Sequence, residues 1–304
     1  MCQQLKVSPA SYYRHWQASA PRQEETAVRD AVQRVALAHR RYGYRRVAAV
    51  LRREGMVVNA KRVLRLMRED NLLCLRKRPF VPMTTASDHD WPIMPNLTRH
   101  LQPTGPDQIW VADITYIRLR EGFVYLAVVL DGFSRRVVGW AIDNHLRASL
   151  PVRALRKAIT ARRPPPGLIH HSDRGTQYTC PEYRVLLEQH DLQASMSRAA
   201  NPYDNARAES FMATLKREQV DGRAYRDLAE ARADIGPFID TVYNRQRLHS
   251  ALGYHSPEEF EALQPARLGP GVGGAARSRG SAPPTPDHRL DPKKTAATMQ
   301  LVSP

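Results

Sequence analysis

Three acidic residues that lie far apart in the chain have the types and surroundings for metal-dependent chemistry. Asp113 lies inside the apolar run WVADIT, Asp173 follows the segment LIHHS, and Glu209 lies one turn into a helix. A carboxylate inside an apolar run is costly unless an opposite charge compensates it. Three carboxylates that meet at one point repel each other, and a divalent cation removes the repulsion.

The donor atoms indicate which metal would bind. Carboxylate oxygens favour Mg²⁺ or Mn²⁺, whereas zinc prefers Cys and His ligands. Cys2, Cys74 and Cys180 are widely separated and form no C-x-x-C pair, which supports neither a cysteine zinc site nor a disulfide framework. Two such ions about 4 Å apart can activate an attacking oxygen and stabilise the leaving oxygen of a phosphodiester. The carboxylates therefore predict a site for two Mg²⁺ or Mn²⁺ ions.

The same residues also have ordinary structural interpretations. Asp113 fits a core acid paired with a cation, and Asp173 fits a turn former before Arg174. His170 and His171, next to Asp173, fit packing roles better than the role of a base or ligand. The carboxylates by themselves leave both interpretations open.

The elements that would position these carboxylates lie between residues 107 and 263. Three β-rich segments, with the turn signal Asp131-Gly132 between the second and third, predict an antiparallel meander. Helices then alternate with two short strands, and Asn205 is predicted to cap a helix that runs to about Val220. The sequence also predicts a bend at Gly236-Pro237 and a capping box at Ser256-Pro257-Glu258-Glu259. This order predicts an α/β fold with a mixed sheet. The predicted strands are 109–119, 123–130, 136–142, 168–171 and 193–196.

Residues 1–78 have the pattern of a helical DNA-binding region. Short helices joined by tight turns predict a helix-turn-helix, and Asn59 can cap the last helix. Between residues 24 and 78, 15 Lys and Arg exceed 6 Asp and Glu by 9. The last helix therefore predicts a DNA-contacting face, although a solvated basic face is the ordinary alternative. Its basic residues are Lys61, Arg62, Arg65 and Arg68.

Proline content separates two further regions. Residues 79–106 contain six prolines, which break helices and sheets and therefore predict a linker. Residues 264–304 contain seven prolines and five glycines with few large apolar residues, which predicts a disordered tail.

The composition of the whole chain indicates its partner and compartment. The chain has 304 residues, with 46 Lys and Arg against 30 Asp and Glu, a formal net charge of +16. An excess of this size is typical of proteins that bind nucleic acid. The sequence has neither a signal peptide nor an apolar run long enough to span a bilayer. It therefore predicts a soluble, cytoplasmic protein that has no membrane partner.

Seven stretches of the chain occur together in a fixed order. They are RYGYRRVAAVLRREG, NAKRVLRLMREDNLL, WVADITYI, YLAVVLDGFSRRVVGWAI, LIHHSDRGTQYT, YDNARAESFMATLKRE and YNRQRLHSALGYHSPEEF. Because of these stretches, roughly residues 1–263 resemble the second-frame product of the IS-three family of bacterial insertion-sequence transposases. The 35 residues between Asp173 and Glu209 also agree with that family's spacing.

The resemblance implies a fold, a reaction and a set of partners. The fold would be a ribonuclease-H-like mixed sheet flanked by helices, as in retroviral integrases, preceded by the helix-turn-helix region. Asp113, Asp173 and Glu209 would be the metal-binding catalytic residues, and Lys216 would touch the DNA end. The reaction would be nicking at the element's ends followed by strand transfer from the freed 3′-OH.

The implied partners are the terminal inverted repeats, target DNA and the first-frame product of the same element, with a homo-oligomer assembled on DNA. Two alternatives remain: a DNA-binding repressor whose core no longer cuts, and a ribonuclease-H-like nuclease acting on RNA–DNA hybrids. The basic helix-turn-helix disfavours the nuclease, because docking in the major groove of a duplex suits DNA.

Overall fold

The computed structural model describes residues 25–73, 94–99, 101–198 and 205–264. All of them belong to one compact unit, Met1–Pro265. Within these ranges, no helix combines the length and the apolar character that a membrane crossing requires. The predicted disordered tail lies outside the described residues, apart from Gln264.

The amino-terminal part forms three helices with a core of their own. They are α1 (Thr26–Ala38), α2 (Tyr44–Arg53) and α3 (Ala60–Glu69). Asn59 caps α3 as predicted, because its Oδ1 accepts a hydrogen bond from the backbone N–H of Lys61 at 2.8 Å. Six side chains of this core have no exposed surface: Val32, Val47, Leu51, Val63, Leu66 and Met67.

Five strands form one mixed sheet. The strand order is β3-β2-β1-β4-β5. β1 pairs antiparallel with β2, which pairs antiparallel with β3, so the predicted meander is confirmed. β1 pairs parallel with β4, and β4 pairs parallel with β5. The strands are β1 (Ile109–Arg118), β2 (Phe123–Asp131), β3 (Val137–Asp143), β4 (Ile169–Ser172) and β5 (Gln193–Met196).

Helices cover both faces of this sheet. On one face, α4 (Ser149–Arg162), α5 (Thr176–Thr179) and α6 (Pro181–Gln189) pack against even-numbered residues of β1 such as Trp110 and Ala112. On the other face, α7 (Ala206–Leu215) and α8 (Leu228–Pro237) pack against odd-numbered residues such as Val111 and Ile117. Because successive side chains of a strand alternate between faces, Asp113 belongs to the α7 face.

Two of the later helices change their hydrogen-bonding pattern along their length. α7 continues as a π-helical segment, Lys216–Val220, and α8 continues as another, Phe238–Gln246. The second change follows Pro237, which cannot donate a backbone hydrogen bond, at the position where the sequence predicts a bend. A 3-10 turn (Ser250–Leu252) and α9 (Pro257–Ala262) complete the core, and Ser256 and Glu259 form the predicted capping box.

Asn205 does not cap α7 with its side chain, contrary to prediction. Its Nδ2 instead donates to the backbone carbonyl of Ala112 at 3.4 Å. Asn205 is buried against β1, so the sheet offers it an acceptor that no local sequence signal reveals. The same side chain that was expected to stabilise the helix end therefore attaches that end to the strand carrying Asp113.

Most of the predicted linker lies outside the described residues. The described parts, 94–99 and 101–106, contain neither helix nor strand, in agreement with their proline content. The segment nevertheless contacts the core, because the Leu97 N–H donates to Ser195 Oγ on β5 at 2.9 Å.

Candidate active site

The pairing of β1 with β4 brings two of the three predicted acids together. Trp110 pairs with His170 and Val111 pairs with His171, a constant offset of 60 residues. Asp113 and Asp173 have the same offset, two positions beyond the last of these pairs. Parallel neighbours lie about 4.8 Å apart in the hydrogen-bonding direction, so the end of this pairing brings the two acids near each other, and the charge of Asp173 acts on Asp113.

The pKa of Asp113 is raised by its surroundings. Burial raises the pKa of its carboxyl, the negative charges of Asp173 and Glu209 act in the same direction, and the pKa reaches about 7. A hydrogen bond from the backbone N–H of Ile114, at 2.8 Å, and the charge of Lys216 oppose the shift. The carboxylates therefore repel one another, and a bound cation would relieve that cost.

Asp173 lies in a tight loop directly after β4. Its Oδ1 accepts a hydrogen bond from the Gly175 N–H at 3.0 Å. A Cβ atom at Gly175 would lie 3.0 Å from that same Oδ1, so glycine allows the backbone to approach the carboxylate. The loop thereby fixes the orientation of Asp173 through backbone atoms.

Glu209 is in the first turn of α7 and is exposed. The helix is held to the sheet by buried Ala208, Phe211 and Leu215, and this packing leaves Glu209 at the border of the apolar face. Partial burial of its carboxyl raises its pKa. Because the charge of Glu209 also acts on Asp113, all three predicted acids share one electrostatic environment.

The three carboxylates do not form a metal-binding cluster in this structure. Among the described residues, no three His, Cys, Asp or Glu side chains are arranged to hold a metal ion. The donor chemistry still fits a hard divalent cation, because every candidate ligand is a carboxylate oxygen.

Lys216 approaches the acidic site from the start of the π-helical segment. Its Nζ lies 4.5 Å from the centroid of the Tyr116 ring, three residues after Asp113 on β1. Burial lowers the pKa of Lys216, while the charges of Asp113 and Asp221 oppose that shift. The side chain is therefore a half-buried cation held on an aromatic surface beside the carboxylates. The sequence does not reveal the contribution of Tyr116.

The predicted basic face of α3 divides into two pairs. Arg65 forms ion pairs with Glu25 at 2.6 Å and with Glu69 at 2.9 Å, and Arg62 lies 3.4 Å from Glu25. Lys61 and Arg68 are exposed. Within the described part of the chain, neither of these two has a carboxylate within ion-pairing distance.

The two histidines beside Asp173 have packing partners. His170 Nε2 lies 2.9 Å from the Tyr183 hydroxyl, and burial lowers the pKa of His170 to about 3. His171 bridges two hydroxyls, with Nδ1 2.9 Å from Ser195 Oγ and Nε2 3.1 Å from Ser197 Oγ. Both rings are buried, which agrees with the structural role favoured by the sequence.

Models of known protein families match both parts of the chain. Residues 22–80 match an HTH-like domain. Residues 103–202 match one model described as an integrase core domain, and residues 190–257 match a second model with the same description.

Similar proteins cover most of the chain. It is 42% identical over 265 residues to the insertion element IS600 uncharacterized 31 kDa protein of Shigella sonnei, covering 86% of this chain and 97% of that protein. It is 37% identical over 267 residues to transposase InsF for insertion sequence IS3A of Escherichia coli, covering 86% and 92% of the two chains. A solved structure, the simian T-cell lymphotropic virus intasome in complex with PP2A regulatory subunit B56 gamma, contains a chain matched at 17% identity with a TM-score of 0.45, covering 83% of this chain and 80% of that one.

Proposed function

The chain belongs to the IS3 family of bacterial insertion-sequence transposases, and on that premise we propose that it nicks DNA at the ends of its element and transfers the freed 3′-OH to another strand. Family membership makes it an enzyme that acts on DNA in transposition. The proposal adds a metal-dependent reaction at Asp113, Asp173 and Glu209.

One observation supports this assignment above the others. The parallel pairing of β1 with β4 ends two residues before each acid, and burial together with the charge of Asp173 raises the pKa of Asp113 to about 7. The two groups that lower this pKa, the Ile114 N–H and the Lys216 ammonium, do not offset burial and the neighbouring acids. A buried acid whose pKa is raised by neighbouring acids is expected at a site whose partner is a divalent cation.

Each side chain has a separate role in this proposal. Asp113 on β1 and Asp173 directly after β4 would hold Mg²⁺ or Mn²⁺, and the exposed carboxylate of Glu209 on α7 would complete the ligand set. Two bound ions would supply activation of the attacking oxygen and stabilisation of the leaving oxygen. Lys216 holds a phosphate of the DNA strand next to the carboxylates, and the Tyr116 ring limits where its ammonium group can lie.

The rest of the chain supplies the DNA and protein contacts in this proposal. Residues 1–78 form the DNA-binding region, 79–106 the linker, and 107–263 the catalytic core. The bound DNA comprises the element's terminal inverted repeats and the target. The first-frame product of the element and further copies of this chain are the proposed protein partners.

Neutral substitutions of the acids test the reaction. Asp113→Asn, Asp173→Asn and Glu209→Gln should each reduce Mg²⁺-dependent nicking of element-end DNA by at least about a thousandfold, about 4 kcal/mol of barrier. DNA binding should remain within a few-fold of wild type, because phosphate contacts dominate affinity. Nicking is followed on a labelled duplex, and binding by fluorescence anisotropy.

Asp191→Asn is the matched control. Asp191 is an exposed turn residue with a φ of 53°, a conformation that asparagine also adopts, and its substitution changes the net charge equally. Nicking that survives in Asp173→Asn would refute the assignment. A wild-type protein that binds the duplex tightly but never cuts it would favour the repressor alternative.

A further inference from the structure

Two side chains of the helix-turn-helix region bind the backbone of one buried residue in the catalytic core. The Tyr42 hydroxyl accepts a hydrogen bond from the Leu248 N–H at 3.2 Å, and Arg46 Nε donates to the Leu248 carbonyl oxygen at 3.0 Å. Leu248 is buried, and buried backbone groups require partners. Two side chains of the amino-terminal region thus satisfy both backbone polar groups of one core residue.

A shared carboxylate strengthens the same contact. Arg247 donates two hydrogen bonds to Glu218, at 2.9 and 2.8 Å, and both side chains are buried. Arg46 Nη1 lies 3.9 Å from the same Glu218 carboxylate. Burial lowers the pKa of Arg46 and the charge of Arg247 lowers it further, while Glu218 opposes both effects. The position of Arg46 is therefore defined by directional bonds and by charge.

Glu218 belongs to the helix that carries the proposed active-site residues. Glu209 lies in the first turn of α7, and both Lys216 and Glu218 lie in the π-helical segment that continues it. Within that segment, Lys216 reaches Tyr116 beside Asp113, while Glu218 reaches Arg46. One continuous helix thus contacts the acidic site through one side chain and the DNA-binding region through another.

A second ion pair orients α2 along the core. Arg53, seven residues after Arg46 on α2, lies 2.8 Å from Glu259 on α9. Residues seven apart leave nearly the same face of a helix, about 10 Å apart along its axis. This face of α2 rests on the core, and Lys61 and Arg68 on α3 remain exposed.

We propose that Arg46 is a specificity-determining positioning residue that fixes the distance between the DNA sequence contacted by α3 and the phosphodiester that is cut. The long chain segment between α3 and β1 cannot by its length alone set one separation, whereas the bonds of Arg46 can. The inference rests on the proposed function, since it assumes that α3 contacts DNA and that the acidic site cuts it.

The test maps nick positions at single-nucleotide resolution. The full chain is given Mg²⁺ and an end-labelled duplex carrying the terminal sequence of the element that encodes it. In Arg46→Ala, the ratio of nicks at the main position to nicks at neighbouring positions should fall about tenfold. A tenfold change corresponds to about 1.4 kcal/mol, which is near the contribution of one hydrogen bond to a charged group. Arg46→Lys should fall between wild type and Arg46→Ala.

Arg45→Ala is the matched control, because Arg45 is the neighbouring residue, carries the same charge and is exposed. Arg45→Ala should keep the wild-type nick pattern. Its DNA affinity, measured by fluorescence anisotropy, should lie within about threefold of that of Arg46→Ala, the range expected when at most one phosphate contact differs. Arg53→Ala breaks the more exposed pair with Glu259 and should broaden the pattern less, in the same direction. Arg53→Ala therefore tests the same contact if Arg46→Ala unfolds at a lower temperature than wild type.

The outcomes separate the two proposals. An equally sharp nick pattern in wild type, Arg46→Ala and Arg53→Ala would overturn the positioning role alone. Equal broadening in Arg45→Ala and Arg46→Ala would show a general charge effect and would also overturn it. A wild-type protein that cuts the duplex at no position would remove the proposed function, and this inference with it.

Discussion

In the helix-turn-helix region the carboxylates face guanidinium groups, whereas in the acidic site they face one another. Glu69 and Asp70 both bind Arg29, and Glu54 binds Arg34. Asp113 has instead a pKa raised by burial and by Asp173. These carboxylates of the first region are compensated by guanidinium groups, whereas in the proposed function those of the second would be compensated by a bound cation. The difference teaches that the carboxylates of the first region serve folding, while those of the second would serve a ligand.

The largest expected effect is the stabilisation of the acidic site by a bound metal ion. Saturating Mg²⁺, at a hundredfold excess over Kd, should raise the free energy of unfolding of wild type by about 2.7 kcal/mol. Asp113→Asn and Asp173→Asn should gain less, because each lacks one ligand. Thermal melts with Mg²⁺ and with EDTA give the comparison, with Asp191→Asn expected to respond as wild type does. An equal gain in Asp173→Asn would contradict the proposed ligand set.

The dependence of stability on pH should have opposite signs in the two regions. The pKa of Asp113, raised by burial to about 7, exceeds its unfolded value, so the metal-free protein should lose stability as pH rises from about 4 to 7. Relative to Asp113→Asn, that loss should reach about 1–3 kcal/mol above pH 7. Urea titrations in EDTA measure it.

Glu54 provides the opposite case. Its hydrogen bond from Arg34, 3.1 Å at Nη1, lowers the pKa of the carboxyl. Stability from this pair is present above the unfolded pKa and is lost as pH falls through the folded pKa. Glu54→Gln should therefore weaken the protein near neutral pH more than in acid. If both variants changed stability with the same sign across this range, the contrast between the regions would fail.

Lys216 tests whether the acidic site also contains a specific cation. Lys216→Ala should reduce cleavage about tenfold, about 1.4 kcal/mol, while Mg²⁺ still stabilises the protein. Lys216→Arg should retain more activity, because the charge remains. Arg217 is exposed and its Nη2 lies 3.8 Å from Glu218, so Arg217→Ala should have a smaller defect. Equal defects in Lys216→Ala and Arg217→Ala would indicate a general charge effect.

The two pairs of basic residues on α3 should separate DNA binding from stability. Replacing Lys61 and Arg68 with alanine should lower the slope of log affinity against log salt by about 1.8, since each phosphate contact contributes about 0.9. Replacing Arg62 and Arg65 should lower that slope less, because both face Glu25. It should instead reduce the free energy of unfolding by about 0.5–1 kcal/mol. Equal slopes for the two double variants would show that pairing with Glu25 has no effect on DNA contact.

Local patterns in the sequence predicted most elements of the fold. The apolar residues of β1, the turn at Asp131-Gly132 and the capping box at Ser256 are short-range signals, and the structure confirms each of them. The prediction for Asn205 was wrong because its acceptor, the Ala112 carbonyl, is 93 residues away in sequence. Short-range rules identify a cap position but not a competing partner brought in by the sheet.

The sequence by itself determined which residues could perform chemistry, because residue type, apolar context and spacing are local properties of the chain. It identified Asp113, Asp173 and Glu209 as candidates, and their catalytic role stays a prediction. Only the tertiary structure decided that β1 pairs with β4 next to two of these acids, that Lys216 lies on the Tyr116 ring, and that Arg46 connects the helix-turn-helix region to Leu248 and Glu218. These relations depend on strand register and on packing between distant segments, and no local pattern encodes either of them.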